Sequence, residues 1–93
     1  MFYRWDPRKA ATNLQKHRVD FHEAATVFDD ILSMTFPDAE HSAAEDRSIT
    51  LGASAKGRIL VVIHADRKES VRTISARPAT PHERHYYEQR EGK

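Results

Sequence analysis

"RILVVIHADRKESVRTISA" (58–76) is the stretch on which the fold turns. Residues 58–64 are apolar almost without interruption, the pattern of a strand covered on both faces. "ADRKE" (65–69) is a short polar turn, and "SVRTISA" (70–76) reads as the next strand. A connection this short joins antiparallel neighbours. Upstream, "RSITLGAS" (47–54) alternates, with Ile49 and Leu51 on one face and Ser48 and Thr50 on the other. "AKG" (55–57) turns that strand into the central one. "SMTFPD" (33–38) is a short strand ended by Pro37, and the aromatic "FYRW" (2–5) is a plausible first strand. The polar "DAEHSAAED" (38–46) reads as a loop.

Helix signals flank these strands. Asp6 is a good N-cap, and Pro7 at the first helical position needs no backbone N–H. The helix runs on through "RKAATNLQKH" (8–17), with Ala10, Leu14 and His17 on a shared face. In "VDFHEAATVFDD" (19–30), Asp20 and Glu23 form a D-x-x-E variant of the capping box, and Val19 and Ala24 occupy the staple positions. Phe21, Ala24, Ala25 and Phe28 make the apolar stripe of a second short helix. "TPHERHYYEQR" (80–90) repeats the logic, with Thr80 as N-cap, Pro81 first in the helix and Glu83 three residues beyond the cap. The expected fold class is α+β: an antiparallel sheet of about four strands, two N-terminal helices and a C-terminal helix. Ninety-three residues are expected to form one domain over 1–93.

Composition narrows the function classes. Cysteine is absent, which excludes a disulfide framework, a thiol nucleophile and a thiolate metal site. No apolar run reaches the length of a membrane span, and "MFYRWDPRKA" lacks the apolar stretch of a signal peptide. A cytoplasmic protein is the expectation. Net charge is +1, but it is unevenly spread: residues 1–18 sum to +4, residues 19–46 to −8 and residues 47–93 to +5. Such a chain can present a basic face to a polyanion while its acidic segment lies elsewhere.

"WDPRKAATNLQKHRVDFHEAATVFDD", followed by "EDRSITLG", "GRILVVIHA" and "VRTISARPATPHER", resembles the BrnT family of type II toxins from Trp5 to Tyr87. The matching set is W-D-P-x-K, K-H before V-x-F-x-E-A, I-S-A-R-x-A, and E-R. One departure is visible: the family often has Gly after the K-H pair, where this chain has Arg18. The resemblance implies a RelE-like fold and a ribonuclease toxin that arrests growth. It also implies a BrnA-type antitoxin as partner, through which alone operator DNA is bound.

The reaction expected from that resemblance is metal-independent RNA cleavage, with no cofactor. The 2′-OH is an internal nucleophile, so the protein must place the RNA, neutralise growing charge on the phosphate and move a proton. Arg72 and Arg77 are candidates for the phosphate, because guanidinium stays charged and grips phosphate through two parallel N–H donors. Residues five apart point to opposite faces of a regular strand, so both reach one site only if the strand twists, bulges or ends between them. Arg47, beside Glu45 and Asp46, is otherwise a surface ion pair and gains its candidacy from the family position. His17 is the acid–base candidate, since histidine as a residue type titrates near neutrality. Lys16 beside it supplies charge, unless both merely satisfy the helix C-terminus. Glu23 is a possible partner base, with capping as its alternative role.

Arg58 and His64, at the two ends of the central strand, are further substrate-binding candidates, with solvated strand ends as the alternative. Tyr86 and Tyr87 could stack on bases, or one or both could dock the last helix onto the sheet through their rings. His82 and His85 have a metal-compatible spacing, but no third ligand stands out, so no metal site is expected. The competing reading of the whole chain is a non-catalytic module that grips RNA or an antitoxin.

Overall fold

A computed structural model describes residues 1–41 and 46–91 of the chain. Five strands and three helices follow in the order β1 (Phe2–Arg4), α1 (Pro7–His17), α2 (Phe21–Thr26), β2 (Met34–Pro37), β3 (Arg47–Ala53), β4 (Ile59–Asp66), β5 (Ser70–Pro78) and α3 (Pro81–Glu91). The sheet order is β1-β5-β4-β3-β2. Strands β2 to β5 form the expected antiparallel meander. β1 departs from expectation: it pairs parallel with β5, so the sheet is mixed and has five strands. The reason is positional. α1 and α2 carry the chain away from β1 before the meander begins, so no tight turn dictates how β1 pairs. Of the expected loop at 38–46, Ala39–His41 form a short 3-10 turn, and residues 42–45 lie outside those described.

The helix starts follow their caps. Asp6 Oδ1 accepts from the Arg8 N–H at 2.8 Å, with Pro7 at the first position. Asp20 Oδ1 accepts from the His22 N–H at 2.6 Å. The expected Asp20–Glu23 capping box is corrected here, because the Glu23 side chain turns inward to Ser54 and Arg58. The box at α3 is as expected: Glu83 N–H donates to Thr80 Oγ1 at 3.2 Å, and Thr80 N–H donates to Glu83 Oε1 at 2.8 Å.

α1 and α2 close one face of the sheet. Val19, Phe21, Ala24, Val27, Leu60, Val62 and Ala76 form its core, with Trp5, Ala10 and Phe28 packed against it. Full burial of a side chain such as Phe21 contributes about 2–3 kcal/mol. The edge of Trp5 meets Phe21 with ring centroids 6.1 Å apart, and Tyr3 stacks on Phe28 at 5.5 Å. The buried residue of α1 is Asn13, whereas Leu14 of the expected apolar face is 46% exposed. Asn13 acts as a surrogate strand neighbour: its amide donates to Ala76 O at 2.8 Å and to Val19 O at 3.0 Å, and its Oδ1 accepts from Ala76 N–H at 3.1 Å. β1 stops at Arg4, opposite Arg72, so the β5 backbone beyond it needs another partner.

α3 covers part of the opposite face, where Met34, Leu51, Val61 and Tyr87 form a smaller core. Tyr87 O–H donates to Asp30 Oδ2 at 2.6 Å, and the same oxygen accepts from Ala53 N–H at 2.8 Å. Burial pushes the Asp30 carboxyl up, but bonds from Ala53, Tyr87 and Leu32 outweigh it and hold the group below its ordinary value. Next to Ala53, Gly52 allows this crossing, since a Cβ there would stand 2.8 Å from Ser33 Cβ and 2.9 Å from Val27 Cγ1. Arg18 ends α1 in the left-handed region, at φ 60° and ψ 31°, where glycine is the favoured residue. Arg18, which follows the K-H pair, thus occupies a strained backbone position.

Candidate active site

The face carrying α3 also carries the arginines. On β4, Val61, Ile63 and Ala65 point to that face, opposite Leu60 and Val62. Arg77 pairs with Val61 and Arg72 with Ala65, so both arginines stand on it. The five-residue spacing is reconciled by a bulge. Ile63 pairs with Ser75 and His64 with Thr73, which leaves Ile74 as the extra residue. Arg47 pairs with Ala65 from the other side, so Arg47, Ala65 and Arg72 occupy one row across β3, β4 and β5. At about 4.8 Å per strand, the Arg47 and Arg72 backbones lie about 10 Å apart.

Arg77 is engaged by α3. Its Nη1 and Nη2 donate to the two Glu83 carboxylate oxygens at 2.8 and 2.9 Å. That bidentate bond holds the Glu83 carboxyl down at about 2 and raises the Arg77 guanidinium further. Arg77 is therefore a tethered cation, and any phosphate must compete with Glu83 for it.

His17 and Lys16 arrive from α1. They line a cavity of about 300 Å3 together with Arg8, Lys9, Thr12, Asn13, Ile74 and Ser75. Ile74 and Ser75 are the bulged segment between Arg72 and Arg77. The bulge sets the two arginines on the α3 face, whereas His17 and Lys16 stand on the α1 side of β5, and the cavity they line includes none of Arg47, Arg72 and Arg77. Arg8, Thr12 and Lys16 follow at four-residue intervals, which places a basic stripe along this wall.

Three other candidates lie on the α1/α2 face. Glu23 is buried, accepts from Ser54 Oγ at 2.7 Å and from Arg58 Nε at 2.9 Å, and makes a further close contact with Arg58 Nη2. The bond from Arg58 holds the Glu23 carboxyl below its ordinary value despite burial, and Glu23 raises Arg58 in return. Arg58 also donates to Arg18 O at 3.0 Å, so it is a strut between β4 and the end of α1 rather than a solvated strand end. A carboxylate so committed is a poor proton acceptor. His64 is 2% exposed, with Nδ1 2.6 Å from Asp66 Oδ1 and Nε2 2.7 Å from Thr50 Oγ1. The Phe28 ring meets it edge-on at 4.9 Å. His64 is built into the core face, whereas the Arg58 side chain stays 37% exposed while tied to Glu23 and Arg18 O. Tyr86 is half exposed and lines an apolar groove with Phe36, Ile49, Leu51, Val61, His82 and Glu83.

A second basic cluster had no reading in the sequence apart from Arg72. Arg4, Arg67, Ser70 and Arg72 line a cavity of about 430 Å3. Arg4 faces Arg72 across the parallel β1–β5 pair. No local signal reveals that pairing, although the exposed Phe2 and Arg4 do alternate in the manner of a strand.

Comparison with known proteins places this geometry. The family described as ribonuclease toxin, BrnT, of type II toxin–antitoxin system matches residues 5–83. The crystal structure of the Brucella abortus ribonuclease toxin BrnT superposes with a TM-score of 0.66 at 30% identity, covering 86% of this chain and 99% of that one. Comparison with curated proteins finds no match. The family match runs through the W-D-P start, the K-H pair and the arginine strand, and the structural likeness extends over nearly all of the Brucella toxin; the chain belongs to the BrnT family of ribonuclease toxins of type II toxin–antitoxin systems.

Proposed function

We propose that this chain is a metal-independent endoribonuclease toxin on a RelE-like scaffold, acting in the cytoplasm and neutralised by a BrnA-type antitoxin. The observation that carries the reading is the bulge at Ile74. It sets Arg72 and Arg77 on one face, with Arg72 in the same row as Arg47, while the bulged Ile74 and Ser75 border the cavity of His17 and Lys16 on the α1 side of β5, so the RNA must pass around the β5 edge to reach both. In the proposed reaction His17 takes the proton from the 2′-OH, and the 2′-oxygen attacks phosphorus. The bond to the 5′-oxygen breaks, and a proton returns to that oxygen. The products are a 2′,3′-cyclic phosphate and a 5′-OH. Arg72 and Arg47 neutralise the phosphate as its charge grows, and Arg77 joins them when Glu83 gives way. Lys16 holds an adjoining phosphate. Tyr86, in the groove it shares with Glu83, is a stacking surface for a base. Glu23, Arg58 and His64 act as structure.

Purified protein incubated with RNA in EDTA is the test. Wild type is expected to cut and to leave cyclic phosphate ends. Arg72→Ala should lower the cleavage rate by about 10²–10³-fold, and His17→Ala by about 10²–10⁴-fold, with unfolding little changed. RNA that is bound but left uncut would instead identify a binding module. Inhibition by EDTA would remove the metal-free mechanism. The antitoxin is proposed to cover the basic face by adding a strand or laying a helix across it. RNA access unchanged in the toxin–antitoxin complex would contradict that placement.

A further inference from the structure

Arg4 lies outside the proposed cleavage centre, yet it continues the same row. Read across the sheet, Arg47, Ala65, Arg72 and Arg4 are successive partners on β3, β4, β5 and β1. Three strand steps of about 4.8 Å make this row about 14 Å long. At its β1 end, Arg67 from the β4–β5 turn and Ser70 join Arg4 and Arg72 around the cavity of about 430 Å3. The turn is held shut by the Arg67 N–H donating to Ser70 O at 2.8 Å, which fixes where Arg67 leaves the backbone.

Beside these cations stands an apolar ring that the core does not use. Phe2 pairs with Ser70 and Arg4 with Arg72, so Phe2 and Arg4 share the arginine face. Phe2 is 67% exposed, whereas Tyr3 between them points the other way and stacks on Phe28. An exposed aromatic next to a line of guanidiniums is the arrangement that binds a single nucleic-acid strand: cations track the phosphates and the ring receives a base.

We infer that Phe2, Arg4 and Arg67, with Ser70, form a binding subsite for single-stranded RNA flanking the scissile phosphate, so that the RNA crosses the strands along the arginine row. This rests on the nuclease reading and extends it. The subsite adds grip and register without touching the reacting atoms. It takes phosphates through Arg4 and Arg67, and one base on Phe2 with little sequence preference.

The experiment measures binding of a single-stranded RNA carrying 2′-O-methyl groups, which cannot act as its own nucleophile, over a series of salt concentrations. Thermal melts check that each variant is folded. The slope of log affinity against log salt should become shallower by about 0.7 for each of Arg4→Ala and Arg67→Ala. Arg4→Lys should restore it. Phe2→Ala should weaken binding roughly tenfold and leave the slope unchanged. Folded variants with wild-type affinity and slope overturn the subsite. Variants that lose affinity for the antitoxin but keep RNA binding overturn it too, by assigning the patch to the protein partner. Wild type that neither binds nor cuts RNA defeats the nuclease reading itself, whereas wild type that cuts beside unaffected variants defeats only this inference.

Discussion

The two faces of the sheet are built on different terms. Under α1 and α2, Val19, Ala24, Val27, Leu60, Val62 and Ala76 are wholly removed from water, and the charged pair Glu23–Arg58 braces the layer. Under α3 the core shrinks to Met34, Leu51, Val61 and Tyr87, and beyond it the same strands carry Arg47, Arg72 and Arg77. β4 serves both: its even residues build the first core and its odd residues reach the second. One face therefore supplies most of the stability, so the other can keep cations where a packed core would exclude them. α3 itself is a polar helix, held by Tyr87 to Asp30 and by Glu83 to Arg77. The clamp on the arginine and the attachment of the helix are the same ion pair.

Substitutions on the two faces should separate stability from activity. The largest loss is expected at Phe21→Ala, about 3–5 kcal/mol in denaturant unfolding, because a fully buried ring leaves a cavity. A loss below 1 kcal/mol would mean that the α1/α2 face is not the main core. Glu23→Gln comes next, at about 2 kcal/mol, since Arg58 keeps only a neutral partner; cleavage per folded molecule should stay at the wild-type level. A rate collapse in that variant would return Glu23 to the reaction.

Glu83→Gln tests the opposite face through pH. The folded carboxyl titrates at about 2 against an ordinary 4.5, so its contribution to stability is complete above about 4.5 and is lost as pH falls toward 2. Wild type should therefore lose melting temperature across that window more steeply than Glu83→Gln. Parallel curves would show that the ion pair does not hold α3. The smallest effect is expected at Arg18→Gly, a gain of about 0.5–1 kcal/mol from relieving the left-handed backbone. A destabilisation there would mean that the Arg18 side chain compensates for its strain.

Much of the architecture was legible because its signals are local. Asp6–Pro7 and Thr80–Pro81 mark helix starts, and the apolar run at 59–63 marks the central strand. The site was legible only in part. Arg72 and His17 could be picked out as candidates, but the five-residue spacing of Arg72 and Arg77 argued against a shared face until the Ile74 bulge resolved it. Glu23 gave a misleading signal, since D-x-x-E is satisfied by spacing alone while its true partner, Arg58, lies 35 residues away. Arg4 gave none, because a parallel edge pair leaves no turn in the sequence to betray it.

The sequence by itself determined which segments become helices and strands, which residues seek the core, and which family the chain resembles. Those outcomes depend on side-chain periodicity and capping chemistry within a few residues. Tertiary structure alone decided which cations meet, which are neutralised, and which edge of the sheet β1 would occupy. Those outcomes depend on register and on long-range pairing, where a one-residue bulge moves a guanidinium from one face of the sheet to the other.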